Sequence, residues 1–174
     1  MSLEARPPNA EGAGEVSIRE LVRHALRMRP TRIIVGEVHG PEALDMLSAM
    51  NTGHEGSMGT IHANDARQAL AKLSTYLLMA REEIPAEVAA EMIAGTIQLV
   101  VHLRLDATGR RRVVQITEVV GLEGRQILTN DIFRFEGDSL VGTGVPPKWR
   151  DPNRKAAMVG ASSGNGNGSG LWKP

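Results

Sequence analysis

The chain has 174 residues, enough for one domain with a real core, and its 20 Lys+Arg balance 20 Asp+Glu. That balance argues against a dominant nucleic-acid or acidic-lipid footprint, and 3% aromatic residues argue against a stacking platform for single strands. The absence of cysteine removes disulfides and thiolate chemistry, no apolar run approaches the roughly 18 residues of a membrane span, and MSLEARPPNAEG lacks the apolar centre of a secretory signal.

In chain order, residues 1–15 are polar, with Pro7, Pro8, Gly12 and Gly14, and read as an extended loop. Ser17 and Glu20 form an S-x-x-E capping box, and Val16 with Leu21 fits a hydrophobic staple. Ile18, Leu21, Val22, Ala25 and Leu26 then give one apolar helical face, which Pro30 stops. A strand is expected over Arg32–Val38. His39-Gly40 turns the chain, and Pro41 opens a second helix carrying Ala43, Leu44, Leu47 and Met50. After the loop Gly53–Ser57 comes a second strand, Met58–His62. Asp65 and Gln68 cap a third helix, with Ala66, Ala69, Leu70, Leu73 and Leu77 inward. A fourth helix runs from near Pro85 to about Ala94, with Gly95 expected to end it. Strands over Leu99–Leu105, Arg112–Val120 and Ile127–Phe135 follow. Their short turns suggest an antiparallel meander. The Arg110–Arg112 trio reads as a solvated turn. The methionines at 28, 46, 50, 58, 79 and 92 read as packing residues. From about Asp151 the pattern is lost, and SSGNGNGSG is low-complexity chain. The expected boundaries are 1–15, 16–149 and a flexible Gly/Ser/Asn-rich tail over 150–174.

Two short apolar runs each end in a polar group: Ile33-Ile34-Val35-Gly36-Glu37 and Met58-Gly59-Thr60-Ile61-His62. Such runs read as buried parallel strands, and ligands sit outside the carboxyl ends of strands in open α/β sheets. That arrangement would place Glu37 and His62 at one rim. Taken alone, Glu37 also reads as a surface carboxylate at a strand end, and His62 as a half-buried imidazole bonded to backbone. Taken alone, the arginines at 19, 23, 27, 29 and 32 read as solvated charges and helix-dipole partners. Glu37, His39, His54 and His62 could converge on zinc, but their spacing matches no compact ligand motif.

IIVGE, then NTGH, then TIHAN resembles the second half of the motor domain of type II/type IV secretion-system ATPases, in the branch of the Tad/Cpa-type pilus motors. The resemblance runs from about Leu3 to about Trp149. It implies an α/β fold: the C-terminal part of a RecA-like P-loop NTPase domain, with a partly parallel sheet, helices and an antiparallel strand extension. IIVGE takes the place of Walker B and TGHEGSMGTIHAN that of the His box. Glu37 is then the water-positioning base, with outer-shell reach to Mg2+, and His62 the γ-phosphate sensor. His54, Glu55, Thr60 and Asn64 become auxiliary nucleotide-binding residues, and Arg27 and Arg29 reach toward a neighbouring subunit. ATP and Mg2+ are the implied ligands. The implied setting is a hexamer in the cytoplasm, peripheral to the inner membrane, working with secretion-platform proteins and without nucleic acid.

The sequence departs from the family pattern in several places. It holds no G-x-x-x-x-G-K-S/T, whose amides and Lys cradle the phosphates, and no acidic box before IIVGE. His39 stands where the family usually has Arg, and Gly59 where it commonly has Thr or Ser. The expectation is a truncated back half of a motor that does not hydrolyse ATP autonomously and, with an apolar sheet edge exposed, is marginal or self-associates. The alternatives are a non-catalytic truncated paralogue or gene remnant docking on a full-length ring, and a metal-dependent hydrolase using the His and Glu residues.

Overall fold

The computed structural model describes residues 1–148, so the tail expected over 150–174 lies outside the described residues. Two compact units are present. One holds Met1–Ile97 with Gly121–Ile127, and the other Gln98–Val120 with residues 128–148.

In the first unit, Arg6 and Val16 exchange both backbone hydrogen bonds at 2.9 Å, and Arg6 Nε donates to the Gly14 carbonyl at 2.7 Å. These bonds close residues 6–16 into a loop. Helix α1, Ile18–Arg27, starts at the expected capping box. The Ser17 amide and hydroxyl both donate to the Glu20 carboxylate, holding it below the ordinary carboxylate range. Met28 caps the end, and Arg29 turns away at φ 51°.

Strand β1 (Ile34–Val35) precedes helix α2 (Glu42–Met50), and strand β2 (Met58–Gly59) precedes helices α3 (Ala66–Leu78) and α4 (Ala86–Thr96). Helix α2 packs against α1, α3 and α4, and α3 against α4. Ala43, Leu47, Ala49, Leu77, Ala89 and Ile93 are nearly or completely buried there. Asp65 caps α3 by accepting the Gln68 amide at 2.8 Å. Gly95 does not end α4, which continues to Thr96. Packing of Ala89, Ala90 and Ile93 outweighs the roughly 1 kcal/mol that glycine costs in a helix.

The strands β1 and β2 pair in parallel, Ile34 opposite Met58 and Val35 opposite Gly59. They are shorter than expected because side chains take the ladder positions beside them. The Ile33 amide donates to Ser57 Oγ at 2.9 Å, and Thr60 Oγ1 donates to the Gly36 carbonyl. Burial alternates rather than running through. Ile33 and Val35 are inside, while Ile34 is 68% exposed beside the exposed Met58. The reading of the methionines as packing residues is corrected in the same way. Met46 is buried, but Met28, Met58 and Met79 are exposed.

The second unit carries most of a sheet in the order β3-β4-β5-β6: β3 Leu99–Leu105, β4 Arg111–Glu123, β5 Gln126–Glu136 and β6 Ser139–Gly142. The β3–β4 and β5–β6 pairs are antiparallel. Strand β6 was not expected from sequence; Gly137, at φ 59°, turns the chain back into it. Val119 and Ile132 form the buried apolar centre. Beside them Asp131 accepts Thr117 Oγ1 and Gln115 Nε2, each at 2.7 Å, and an Arg134 ion pair. Burial pushes the Asp131 carboxyl up, but these donors outweigh it and leave it below the usual range. The fully buried Glu118 carboxylate accepts the Lys148 amide at 2.9 Å, tying that segment to the sheet. At the β3–β4 turn, Thr108, Arg112 and the Arg110 amide hold the Asp106 carboxyl well below its usual range. Among the described residues, no helix is long and apolar enough to cross a membrane.

Strand β3 lies at the sheet edge, and Leu99, Val101, Leu103 and Leu105, at alternate positions, are 42–60% exposed. An apolar edge of this kind recruits further strands. The chain is therefore expected to self-associate at micromolar concentration. Leu103→Lys should weaken that association roughly tenfold or more by sedimentation velocity. A monodisperse wild-type monomer would contradict the expectation.

Candidate functional site

The site is built by the parallel ladder. The Met58 amide donates to the Ile33 carbonyl at 3.0 Å, the Thr60 amide to the Val35 carbonyl at 3.2 Å, and the Val38 amide to the Thr60 carbonyl at 2.9 Å. These bonds fix both chains where their strands end. As a result Glu37 Oε1 and His62 Nε2 lie 3.3 Å apart. Their side chains are 51% and 89% exposed. A contact this open adds little to stability, so its groups remain available to a ligand.

The other sequence-selected residues have local partners. The Thr60 hydroxyl is held by the Gly36 carbonyl, directly before Glu37. His54 Nδ1 sits 3.0 Å from the Ala49 carbonyl at the end of α2, and Ser57 Oγ donates to the His54 carbonyl at 2.7 Å. Glu55 is exposed in the same loop, between Gly53 and Gly56, both at positive φ. Asn64 Nδ2 donates to Gln68 Oε1 at 3.0 Å. Arg27 and Arg29 are exposed at the end of α1 and in the residues after it. Arg19 and Arg23, by contrast, both pair with Asp45 on α2, and Arg19 also with Glu82.

Three residues that sequence reasoning passed over shape the rim. Lys72 on α3 donates to the His62 carbonyl at 2.8 Å. Ser57 ties the loop to β1. Glu42, in the first turn of α2, is buried and accepts the amides of His39 and Gly40 at 2.7 and 2.9 Å. Only Glu42 had a signal, since a carboxylate in a first helical turn is placed to meet free amides.

Gly59 has a local explanation. A Cβ there would lie 2.7 Å from Met46 Sδ and 3.6 Å from Val38 Cγ2, so Met46 occupies the space a side chain would need. Among the described residues, no group of three or more His, Cys, Asp or Glu is placed to hold a metal ion. A lone exposed carboxylate such as Glu37 suits a magnesium ion that keeps most of its waters. The 174 residues contain no phosphate-cradling G-x-x-x-x-G-K-S/T.

The family model described as type II/IV secretion system protein matches residues 4–129. The chain belongs to this secretion family. A Mycobacterium tuberculosis protein named for conjugal transfer is 45% identical over 125 residues, covering 72% of this chain and 35% of its own length. The conjugal transfer protein TrbB of Rhizobium radiobacter is 36% identical over 126 residues, 72% of this chain and 38% of its own. This member of the secretion family thus spans little more than a third of the length of these relatives. The crystal structure of the VirB11 ATPase from the Brucella suis type IV secretion system superposes with a TM-score of 0.54 and 30% identity. That match covers 58% of this chain and 31% of that one. The fold is RecA-like, with the expected mixture of parallel and antiparallel sheet.

Introducing a β-branched residue at 59 is expected to crowd Met46. Gly59→Thr should destabilise by roughly 1–3 kcal/mol in the wild type and by less in a Met46→Ala background. Urea midpoints of the single and double variants check this. An additive, undiminished loss in the double variant would contradict it.

Proposed function

We propose that this chain contributes the hydrolytic rim of an ATP-driven motor of a type IV secretion or Tad-type pilus assembly system. The observation that carries the reading is the 3.3 Å approach of Glu37 and His62 at the carboxyl ends of two parallel strands. Glu37 is the Walker B carboxylate. It accepts a hydrogen bond from the attacking water and aligns it on the γ-phosphate of ATP. His62, the last His of the His box, donates to a γ-phosphate oxygen and so couples the presence of that phosphate to the Glu37 position. Mg2+, when bound, neutralises phosphate charge, and Glu37 is the carboxylate that would reach its water shell.

Thr60 holds the Glu37 strand from beneath. His54, Glu55 and Asn64 act as auxiliaries on the loop and at the start of α3. Arg27 and Arg29, both exposed, are the candidates to reach a nucleotide held by a neighbouring subunit in a hexamer. The phosphate cradle must come from residues beyond these 174. The motor would work in the cytoplasm, at the inner membrane, against the secretion platform. The exposed apolar edge of β3 also favours a second reading, in which the chain acts only as an interaction module docking on a full-length ring.

Joined to a family segment that carries the phosphate cradle, the chain is expected to hydrolyse Mg-ATP. Glu37→Gln should then lower kcat by about 100-fold or more, with the nucleotide Kd within about threefold. Retention of full turnover in Glu37→Gln would remove Glu37 from the reaction. No hydrolysis in the joined wild type would favour the docking module.

A further inference from the structure

Glu42 is a buried carboxylate that the proposed chemistry does not use. Its residue is only 7% exposed, yet no Lys or Arg of the described residues pairs with it. Instead Oε1 accepts the His39 amide at 2.7 Å and the Gly40 amide at 2.9 Å, and His39 Nδ1 lies 3.4 Å away. Keeping a carboxylate out of water is costly unless several donors meet it, and here backbone donors do so. The turn is shaped around this group, because a Cβ on Gly40 would come within 2.9 Å of Glu42 Oε2.

The bonded turn starts two residues after Glu37. Between them Val38 is 2% exposed and bonded to the Thr60 carbonyl. The Glu37 segment therefore has a fastening on each side. The Thr60 hydroxyl takes the Gly36 carbonyl before it, and the Glu42 carboxylate takes the His39 and Gly40 amides after it. The first fastening comes from the residue after β2 and the second from α2, so the two chain directions at Glu37 are set by separate segments.

We propose that Glu42 is a positioning residue: by clasping the His39–Gly40 turn it fixes where Glu37 presents its carboxylate to His62. The proposal rests on the reading of Glu37 and His62 as the hydrolytic rim, but its test uses no nucleotide. Glu42 does not touch the ligand. It acts through the backbone, so an acceptor oxygen matters more than the charge. A side chain that keeps one acceptor should restore the geometry, and a group that pushes the carboxylate aside should disturb it.

The experiment follows the ring signals of His62 by NMR at fixed pH, assigned with His62→Gln, in the 174-residue chain. Glu37→Gln gives the reference displacement for loss of the Glu37 carboxylate. Glu42→Ala is expected to displace the His62 signals by at least half that amount in a chain with native circular dichroism. Glu42→Gln should return them to within a tenth of it. Gly40→Ala supplies a second probe that leaves Glu42 in place, and it should displace the signals in the same direction. His62 signals at their wild-type positions in folded Glu42→Ala, or in Gly40→Ala if the first variant does not fold, would overturn the proposal. So would a displacement in Glu42→Gln as large as in Glu42→Ala. None of these outcomes depends on ATP turnover, so a failure here leaves the motor reading standing, and failed hydrolysis leaves the clasp standing.

Discussion

The parallel pairing of β1 and β2 is the interaction on which the rest depends. It consists of few backbone bonds, and two of them involve Thr60. Each strand alone would carry its terminal polar residue to an arbitrary place. Paired in this register, Ile34 against Met58 and Val35 against Gly59, they bring a carboxylate and an imidazole within one hydrogen bond of each other. The sequence distance between Glu37 and His62 is 25 residues, most of it spent on α2 and the loop after it. That helix closes the connection, as parallel strands require.

So short a ladder needs support, and the surroundings supply it. Ser57 receives the Ile33 amide at the start of β1, and Thr60 holds the Gly36 carbonyl at its end. Helix α2 contributes Leu47, fully buried, and Met46, whose sulfur fills the space beside Gly59. Asp45 on the same helix draws in Arg19 and Arg23 of α1. Lys72 of α3 holds the His62 carbonyl. The rim is thus an exposed pair set on a buried frame, which is how a site stays accessible while its geometry stays fixed.

How much of this was legible depended on the distance over which each signal acts. The caps at Ser17 and Asp65 were readable because a cap is a bond across three residues. Helix faces were readable from spacing, and the family likeness was readable from three short motifs. Strand ends were not, because Ser57 and Thr60 act on residues 24 positions away. The same holds for Lys72 of α3 on His62, ten residues apart. Composition also misled. Met28, Met58 and Met79 are apolar, but which apolar residues are covered is decided by the partners they find. Strand β6 escaped because four residues after a glycine turn carry too little periodicity to be told from a loop.

The rim itself can be observed directly. With both side chains assigned in the 174-residue chain, a nuclear Overhauser cross-peak between the Glu37 γ-methylene protons and the His62 ring proton Hε1 reports the approach that the ladder creates. The account predicts that cross-peak in the free protein, and its loss when Thr60→Pro removes the amide that joins the strands. A folded wild-type chain with both resonances sharp and no cross-peak would mean that the strands do not bring these groups together, and the account of the site would fail with them.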